Sequence, residues 1–403
     1  MNFTTLGSIT DIQLGKKLSP KEKTGKNSFS YLRNQNVQWG RIDLSSLATM
    51  DFSVLERQKF ELRSGDLLVC EGGEPRRCAI WKGELSNCYY QMALHRLRPH
   101  DKVADSEFLL YWLQFQALTG TFEDKNAKTT IAHLPVVRLE QLPVPVITVV
   151  NQRYIATHLR AQFVAVEDAH KALQEQIDEA VALSAAIYRE AFHDIAPIAL
   201  PPKFENAPQG WRWVKLNDIA RLESGHTPSR FRPEWWGGNI SWVSLTEIRA
   251  LDGKWVEATE IKTNAEGVAN SSARMLPRGT VCFSRTASVG FVTIMAQPMT
   301  TSQDFANWVC REELDPRYLM HALIRSRTEL RGLAMGATHK TIYMPMLESF
   351  HVCLPDRSTQ KAIVEQLDSR LANAAQIQAG IQARLKEVKL LPVRLLTKAF
   401  KEI

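Results

Sequence analysis

The chain of 403 residues is long enough for two or three domains, each with a core of its own. Charged residues make up 23% and hydrophobic residues 44%, as in ordinary globular proteins, and no run approaches the ~18 apolar residues of a membrane span. The net charge of +7 favours an acidic partner, and a start without a basic segment and an apolar stretch predicts a cytoplasmic protein with no membrane association.

The first half of the sequence predicts a mixed domain followed by a long helix. Short β-branched runs separated by turn residues across positions 1–100 predict strands and loops, and a short helix is predicted at about 107–118. A long helix is predicted at about 152–194, because its apolar residues recur in steps of three, four and seven. These residues are Ile155, Leu159, Phe163, Leu173 and Ile177.

A proline-rich segment at 196–210 predicts a linker, since proline cannot continue a helix. Strands and loops are predicted again at 211–310, a short helix at about 316–331 and a second long helix at about 358–401. Pro392 should kink or end this last helix. Its apolar stripe contains Ile363, Leu367, Leu371, Ile381 and Leu385.

The two halves repeat each other. Gln152 and Leu159 recur as Gln360 and Leu367 at an offset of 208 that continues without a gap to the ends of both helices. Near the domain starts, Leu6-x-x-Ile9 with Gly15 recurs as Leu216-x-x-Ile219 with Gly225. Two long repeats predict tandem domains rather than a solenoid. We therefore expect domains at 1–150 and 211–355, long helices at 151–195 and 356–403, and the linker at 196–210.

The two long helices are expected to pair with each other. The first carries 4 basic and 7 acidic residues and the second 9 and 5, so they have opposite net charges. A whole domain intervenes between them, which favours an antiparallel arrangement. Each helix could instead pack only on its own domain, but at ~1.5 Å per residue each is longer than a small domain is wide.

The opening of the second repeat carries a resemblance to a known family. It contains Trp211-Arg212-Trp213-Val214 before the Leu-x-x-Ile motif, followed by Ser224-Gly225-His226-Thr227-Pro228 and Trp235-Trp236-Gly237-Gly238. This run resembles the target recognition domain of type I restriction-modification specificity subunits, and Gln360-x-x-Ile363 resembles that family's entry into its helical spacer. The first repeat keeps the Leu-x-x-Ile and Gln-x-x-Ile motifs but has no Trp-Trp-Gly-Gly.

The resemblance implies an α+β fold in which two mixed α/β recognition domains are separated by a long antiparallel two-helix coiled coil, with an internal pseudo-two-fold repeat. It implies that each domain reads one half of a split site in double-stranded DNA, while the helices set the spacing and dock two methyltransferase subunits. Those partners would use S-adenosylmethionine to methylate adenine, and motor-nuclease subunits would cut unmodified DNA. This chain would bind no cofactor or metal and catalyse nothing. Because the loops of the two domains differ, the target should be asymmetric.

Candidate DNA-contacting residues are the cations, amides and hydroxyls that match phosphates and base edges. In the first domain they are Lys16, Lys17, Lys21, Lys23, Arg33, Asn34, Gln35, Arg76, Arg77, Tyr90, Gln91, Lys128 and Thr129. In the second they are His226, Thr227, Ser229, Arg230, Arg232, Thr246, Arg285, Thr286, Ser288, Gln303, Lys340 and Thr341. The alternative for the lysine-rich segment is a solvated loop. Trp235 and Trp236 are more readily explained as packing residues than as base-stacking ones.

Several enzyme classes lack their signatures here. The sequence has no phosphate-binding Gly-x-x-x-x-Gly-Lys-Ser/Thr loop, no Gly-x-Ser-x-Gly nucleophile elbow and no Asn-Pro-Pro-aromatic tetrapeptide. None of the six cysteines forms a Cys-x-x-Cys pair, so no structural zinc site is predicted. Two alternatives remain open: a single-chain nuclease or methyltransferase with these domains appended, and an adaptor that does not read DNA.

Overall fold

The computed structural model describes residues 2–18, 24–71, 76–120, 134–201, 204–336 and 339–401. The chain forms two compact units. Unit 1 comprises Met1–Gln174 with Gln382–Ile403, and unit 2 comprises Glu175–Ile381. Each unit therefore contains one predicted globular domain and a segment from each long helix.

Unit 1 is built around a four-stranded antiparallel sheet in the order β2-β10-β7-β8, beside a three-stranded sheet in the order β6-β3-β9. Strands β1 and β11 form a separate pair, as do β4 and β5. The elements are β1 (Phe3–Thr5), α1 (Leu6–Ile9), β2 (Thr10–Leu14), β3 (Ser28–Leu32), β4 (Val37–Gln38), β5 (Arg41–Ile42), β6 (Ala48–Asp51), α2 (Val54–Lys59), β7 (Leu67–Cys70), β8 (Cys78–Ile80), β9 (Tyr89–Tyr90), β10 (Leu94–Pro99), α3 (Ser106–Leu118), α4 (Val136–Glu140), β11 (Pro143–Pro145) and the start of the long helix α5 (Val149–Ala191).

Unit 2 contains a five-stranded sheet in the order β14-β21-β18-β19-β16 and two three-stranded sheets, β17-β15-β20 and β12-β22-β13. The elements are the end of α5, β12 (Ile198–Ala199), β13 (Arg212–Lys215), α6 (Leu216–Ile219), β14 (Ala220–Ser224), β15 (Trp236–Val243), α7 (Ile248–Leu251), β16 (Trp255–Val256), β17 (Lys262–Thr263), α8 (Ala265–Ala269), β18 (Val281–Ser284), β19 (Val292–Met295), β20 (Thr300–Thr301), β21 (Phe305–Cys310), α9 (Pro316–Arg325), α10 (Arg327–Gly332), α11 (Met344–Glu348), β22 (His351–Leu354) and the first part of the long helix α12 (Arg357–Lys401).

The internal repeat of the sequence is also a repeat of topology. The order β2-β10-β7-β8 in unit 1 matches β14-β21-β18-β19 in unit 2, with antiparallel pairing throughout. In both units the second sheet has a central strand, β3 or β15, with one antiparallel and one parallel neighbour. The predicted mixed fold with two long helices is confirmed.

Three local features differ from the sequence-based expectation. The segment expected to be a linker contains β12, which pairs with β22, so part of it belongs to a sheet of unit 2. The short helix expected at 316–331 is divided into α9 and α10 around Ser326. Helix α12 continues through Pro392 to Lys401, so the expectation that it could end at this proline is wrong.

A buried glutamine fixes the start of each long helix on its own domain. Gln152 accepts a hydrogen bond from the Asp105 amide (2.9 Å) and donates to the carbonyls of Val103 and Ile147. Gln360 does the same in unit 2, accepting from the Asp315 amide at 2.8 Å and donating to two carbonyls. The two aspartates in turn cap α3 and α9. The repeated glutamine is therefore a buried connection between the helix pair and the domain.

Segments of both long helices pack together inside each unit. In unit 1, Leu159 near the start of α5 shares a core with Leu396 and Phe400 at the end of α12. In unit 2, Ile187 near the end of α5 shares a core with Leu367 of α12. Both contacts are those of antiparallel helices.

The remaining predicted pairing residues lie along the same stripes. Ile155 and Phe163 pack against the unit 1 core, Ile363 and Leu371 belong to or pack against the unit 2 core, and Ile381 is buried. Leu173, Ile177 and Leu385 are half-buried. Each helix therefore contacts its own domain as well as a segment of the other helix.

In each unit an ion pair links a domain helix to a long helix, and the acidic and basic partners are exchanged between the units. Glu107 of α3 binds Arg160 of α5 at 3.2 Å in unit 1. At the matching positions of unit 2, an arginine of α9, Arg317, binds Asp368 of α12. The repeat thus keeps the ion pair and exchanges its charges.

A buried histidine completes the unit 2 contact. His321 has its Nδ1 3.1 Å from the Tyr188 hydroxyl and its Nε2 3.0 Å from Asp368 Oδ1. Burial, helped by the nearby Arg317 guanidinium, lowers the pKa of His321 to about 4. The ring is therefore neutral at pH 7, and it can accept from Tyr188 while donating to Asp368.

Candidate nucleic-acid interface

In both units a glycine follows the first strand of the larger sheet, Gly15 after β2 and Gly225 after β14. This glycine lets two loops that carry candidate DNA-contacting residues approach each other closely. A Cβ atom on Gly15 would collide with the carbonyl of Gln91, and one on Gly225 with the carbonyl of Ser302. The next residue in each unit donates its amide to the neighbouring strand, Lys16 to Tyr90 (3.1 Å) and His226 to Thr301 (2.9 Å). Only glycine allows this close approach of two backbones.

Unit 2 connects its candidate residues through Gln303 and Arg285. The Thr227 hydroxyl bonds to the side-chain carbonyl of Gln303, whose backbone carbonyl accepts from Arg285 Nη2 at 2.8 Å. Arg285 is half-buried, and this burial lowers its pKa against the opposing effect of Asp304. Its guanidinium also reaches the Ile342 carbonyl at 3.4 Å. Residues from three separate loops are thus held in one network.

A tight turn in the Arg285 loop adds one more loop, which contains Lys340 and Thr341, to this cluster. Ala287 adopts a positive φ of 56° and donates its amide to the Lys340 carbonyl at 2.9 Å. Thr286 pairs with Thr341 in an isolated bridge, and their hydroxyls lie 3.5 Å apart. The Lys340 side chain is exposed, whereas Ser288 is half-buried on the other side of the turn.

An arginine packed on two indole rings forms the other side of the cluster. The Arg230 guanidinium lies 3.9 Å from the centre of the Trp236 ring and 4.9 Å from that of Trp242. The Trp242 indole donates to the His226 carbonyl at 3.1 Å, which ties this stack to the Gly225 turn. Trp236 therefore packs within the loop, in agreement with the interpretation of this residue as a packing residue.

The other unit 2 candidates lie on the loop surface. Ser229, Arg232 and Thr246 are exposed, and Arg232 is paired with Glu234 at 3.5 Å. The segment 226–232 thus presents two hydroxyl groups and two arginines next to the Arg285–Gln303 network. Such a surface can bind phosphates and base edges.

In unit 1 the candidates around Arg77 are also connected. Arg77 donates to the Gln38 side chain at 3.0 Å and to the Asn34 carbonyl at 3.4 Å, and Arg33 donates to the Ser46 carbonyl. Gln35 lies on the same turn and is exposed. Lys17 is exposed too, while Arg76 and Gln91 are half-buried.

Two unit 1 candidates occupy the core, and the structure assigns them another role. Lys16 is 5% exposed, with its Nζ 2.9 Å from Glu56 and 2.7 Å from the Asp51 carbonyl. Tyr90 is fully buried, and its hydroxyl donates to the Gln13 carbonyl. Because both side chains are buried, neither is available on the surface for a phosphate or base.

Four predicted residues lie outside the described residues: Lys21, Lys23, Lys128 and Thr129. Three residues of these surfaces were missed by the sequence analysis. Gln38 supports Arg77, Trp242 supports Arg230, and Phe231 stands exposed between two predicted arginines. The sequence signal for Phe231 was its position between Arg230 and Arg232, since aromatic and cationic side chains occur together on nucleic-acid-binding surfaces.

The two units differ in charge at matching positions. The Glu71 carbonyl accepts from the Leu134 amide in unit 1, and the Arg285 carbonyl accepts from the Ile342 amide in unit 2, both at 2.9 Å. Equivalent loop positions therefore carry an acidic side chain in one unit and a basic one in the other.

Within the part of the chain that the structure describes, no group of three or more metal-ligating side chains comes together. No helix among the described residues has the length and apolar character of a membrane span.

Comparisons with known proteins agree with this architecture. Residues 208–387 match the family described as the type I restriction modification DNA specificity domain. The chain is 27% identical over 163 residues to the type I restriction enzyme MjaIX specificity subunit of Methanocaldococcus jannaschii, covering 40% of this chain and 38% of that protein. It is 24% identical over 189 residues to the HindI specificity subunit of Haemophilus influenzae, covering 45% of this chain and 40% of that protein. The matched regions thus span less than half the length of these relatives.

Solved structures match over nearly the whole length. A chain from a study of complex assembly and conformational transition of the type I R-M system superposes with a TM-score of 0.76 at 18% identity, covering 99% of this chain and 97% of that chain. The HsdS subunit from Thermoanaerobacter tengcongensis gives 0.66 at 19% identity, with 99% and 96% covered. At these identities the likeness establishes the fold. The resemblance drawn from the sequence is confirmed: the chain is similar to the specificity subunits of type I restriction-modification systems, and residues 208–387 match the DNA specificity domain of that family.

Proposed function

We propose that this chain is the non-catalytic, DNA-sequence-reading subunit of a type I restriction-modification complex. The observation that carries the proposal is the repeated scaffold with unlike loops. Both units share a strand order, a glycine turn and a buried glutamine, yet Glu71 in one corresponds to Arg285 in the other. The candidate loops differ as well: unit 2 exposes Ser229 and Arg232, whereas unit 1 exposes Lys17 and Gln35, so the two surfaces would favour different bases. Each unit would read one half of an asymmetric bipartite target.

The partners follow from the same proposal. Two methyltransferase subunits would dock on the long helices and use S-adenosylmethionine to methylate adenine, and motor-nuclease subunits would join them. The paired helices would set the distance between the half-sites. Four residues added to each long helix should lengthen the pair by ~6 Å, nearly two base pairs at ~3.4 Å each. An unchanged gap in the preferred target would contradict this role of the helices.

Methylation mapping of genomic DNA, with and without this chain, tests the central claim. Cells that contain the methyltransferase subunits should show a bipartite methylated site only when the chain is present. Exchange of residues 1–150 for another recognition domain should then change one half of the site and leave the other. A site that changes in both halves, or that persists without the chain, would refute the proposal.

Two measurements separate this function from its alternatives. The purified chain should not bind S-adenosylmethionine, because binding would indicate a methyltransferase. Its DNA affinity should fall steeply as salt rises from roughly 50 to 200 mM, with a sequence preference that remains. An adaptor would show neither the salt dependence nor the preference.

A further inference from the structure

Phe231 is the most exposed large hydrophobic side chain among the residues that the structure describes, at 95% of its full accessibility. It lies in the loop between β14 and β15, with an arginine on each side. Single exposed apolar residues are common on protein surfaces. Phe231 differs from such residues because stacking and hydrogen bonds fix the loop that carries it.

The loop around Phe231 is fixed by stacking and by hydrogen bonds. Arg230 is packed on the Trp236 and Trp242 rings, and the Arg232 guanidinium lies 5.9 Å from the Trp235 ring centre. The Ser229 carbonyl accepts from the Arg232 amide at 3.2 Å and from the Trp236 indole at 3.1 Å, and the Ser229 hydroxyl accepts from the Phe231 amide at 3.3 Å. These contacts fix the loop backbone on both sides of Phe231.

The position of this ring points to DNA as its partner. The loop continues directly from Thr227, which belongs to the network of Gln303 and Arg285. The immediate surroundings of Phe231 are polar and mainly cationic: Ser229, Arg230, Arg232 and the Glu234 carboxylate that pairs with Arg232. Cationic and polar side chains around an exposed aromatic ring suit DNA, in which charged phosphates flank the stacked bases.

We infer that Phe231 is a wedge that enters the base stack of the half-site read by unit 2. This inference rests on the proposed function and adds a residue that acts through DNA shape rather than through base-edge hydrogen bonds. Phenylalanine and leucine wedges unstack one base step and bend the duplex by about 20–90°. Flexible pyrimidine–purine steps open most easily, so the wedge would favour such a step within the half-site. The two flanking arginines would hold the adjacent phosphates.

The test uses the chain assembled with its methyltransferase subunits and a duplex that contains the mapped target. A 2-aminopurine is placed at each step in turn, and a donor–acceptor dye pair on the duplex ends reports bending. The wild-type complex should increase fluorescence at one step of the unit 2 half-site. Phe231→Ala should abolish that increase, reduce the bend and weaken binding about tenfold, in the range of a lost base–aromatic stack.

Two further variants sharpen the test. Phe231→Leu should retain the unstacking signal, and Trp255→Ala, which removes another exposed aromatic ring of unit 2, should leave it unchanged. An Ala variant that binds, unstacks and bends DNA as the wild type does would overturn the wedge while leaving sequence reading intact. Loss of methyltransferase binding with an unchanged bend would assign Phe231 to a protein contact instead. If the wild-type complex shows no sequence preference at all, the proposed function itself fails.

Discussion

Replacement of Gln360 by methionine would disconnect α12 from its domain at one buried point. The Gln360 side chain is fully buried and makes three hydrogen bonds with the backbone, one from the Asp315 amide and two to the carbonyls of Glu313 and Pro355, besides a longer one from Arg357 at 3.5 Å. Methionine has a similar volume and a similar helix propensity, so packing and helix stability change little. The substitution therefore isolates the hydrogen bonds.

The expected cost follows from these contacts. Each intramolecular hydrogen bond contributes a net ~1 kcal/mol, so loss of three lowers the free energy of unfolding of unit 2 by about 3 kcal/mol. The Asp315 amide loses its acceptor, so its hydrogen exchange should accelerate more than tenfold, since each ~1.4 kcal/mol corresponds to a factor of ten. Exchange in unit 1, where Gln152 makes the same contacts, should stay unchanged.

Hydrogen-exchange mass spectrometry on peptides from both units measures the effect, and urea unfolding gives its size. Gln376→Met is the matched control, because Gln376 lies exposed on the same helix. The Gln152→Met variant should give the reciprocal result, with faster exchange in unit 1 only. A Gln360→Met effect below about 1 kcal/mol, or one equal to that of Gln376→Met, would show that the buried glutamine does not hold the helix to the domain.

Three other predictions concern the contacts of each unit. Glu107→Arg should destabilise unit 1 by up to ~1 kcal/mol through repulsion of Arg160, and Arg160→Glu in the same chain should restore it; a double variant no more stable in urea than the single one would contradict the ion pair. The pKa of His321 is about 4 in the folded chain, against an ordinary value of 6.5. The free energy of unfolding is therefore highest above pH 6.5 and should fall by up to about 3 kcal/mol as the pH drops toward 4. His321→Gln should flatten this dependence in urea titrations between these pH values, and an unchanged profile would assign it to other groups. Gly225→Ala should force the turn away from Ser302 and reduce DNA affinity for the unit 2 half-site only; equal loss at both half-sites in binding assays would argue against a local effect.

The sequence predicted the duplication, the two long helices and their pairing, because these depend on local periodicity. Apolar spacing of three and four residues determines which helix face is buried, and a repeat at a constant offset implies a repeated topology. The buried glutamine was visible as Gln152 and Gln360, although its bonds were not. Pro392 shows the limit of such reasoning, because a local penalty for proline did not end a helix supported by tertiary packing.

The candidate interface could not be predicted in full, because it is formed by contacts between segments that are distant in sequence. Lys16 is held by Glu56, 40 positions away, so a lysine that looks exposed in sequence is a buried ion-pair partner. Thr227 and Gln303 are 76 positions apart and form one contact. Conversely, Phe231 is apolar and yet exposed, because stacked arginines and the Ser229 carbonyl hold its loop outward. Local pattern specifies helices and strands, whereas the surface proposed to bind DNA is determined by which loops the tertiary fold brings together.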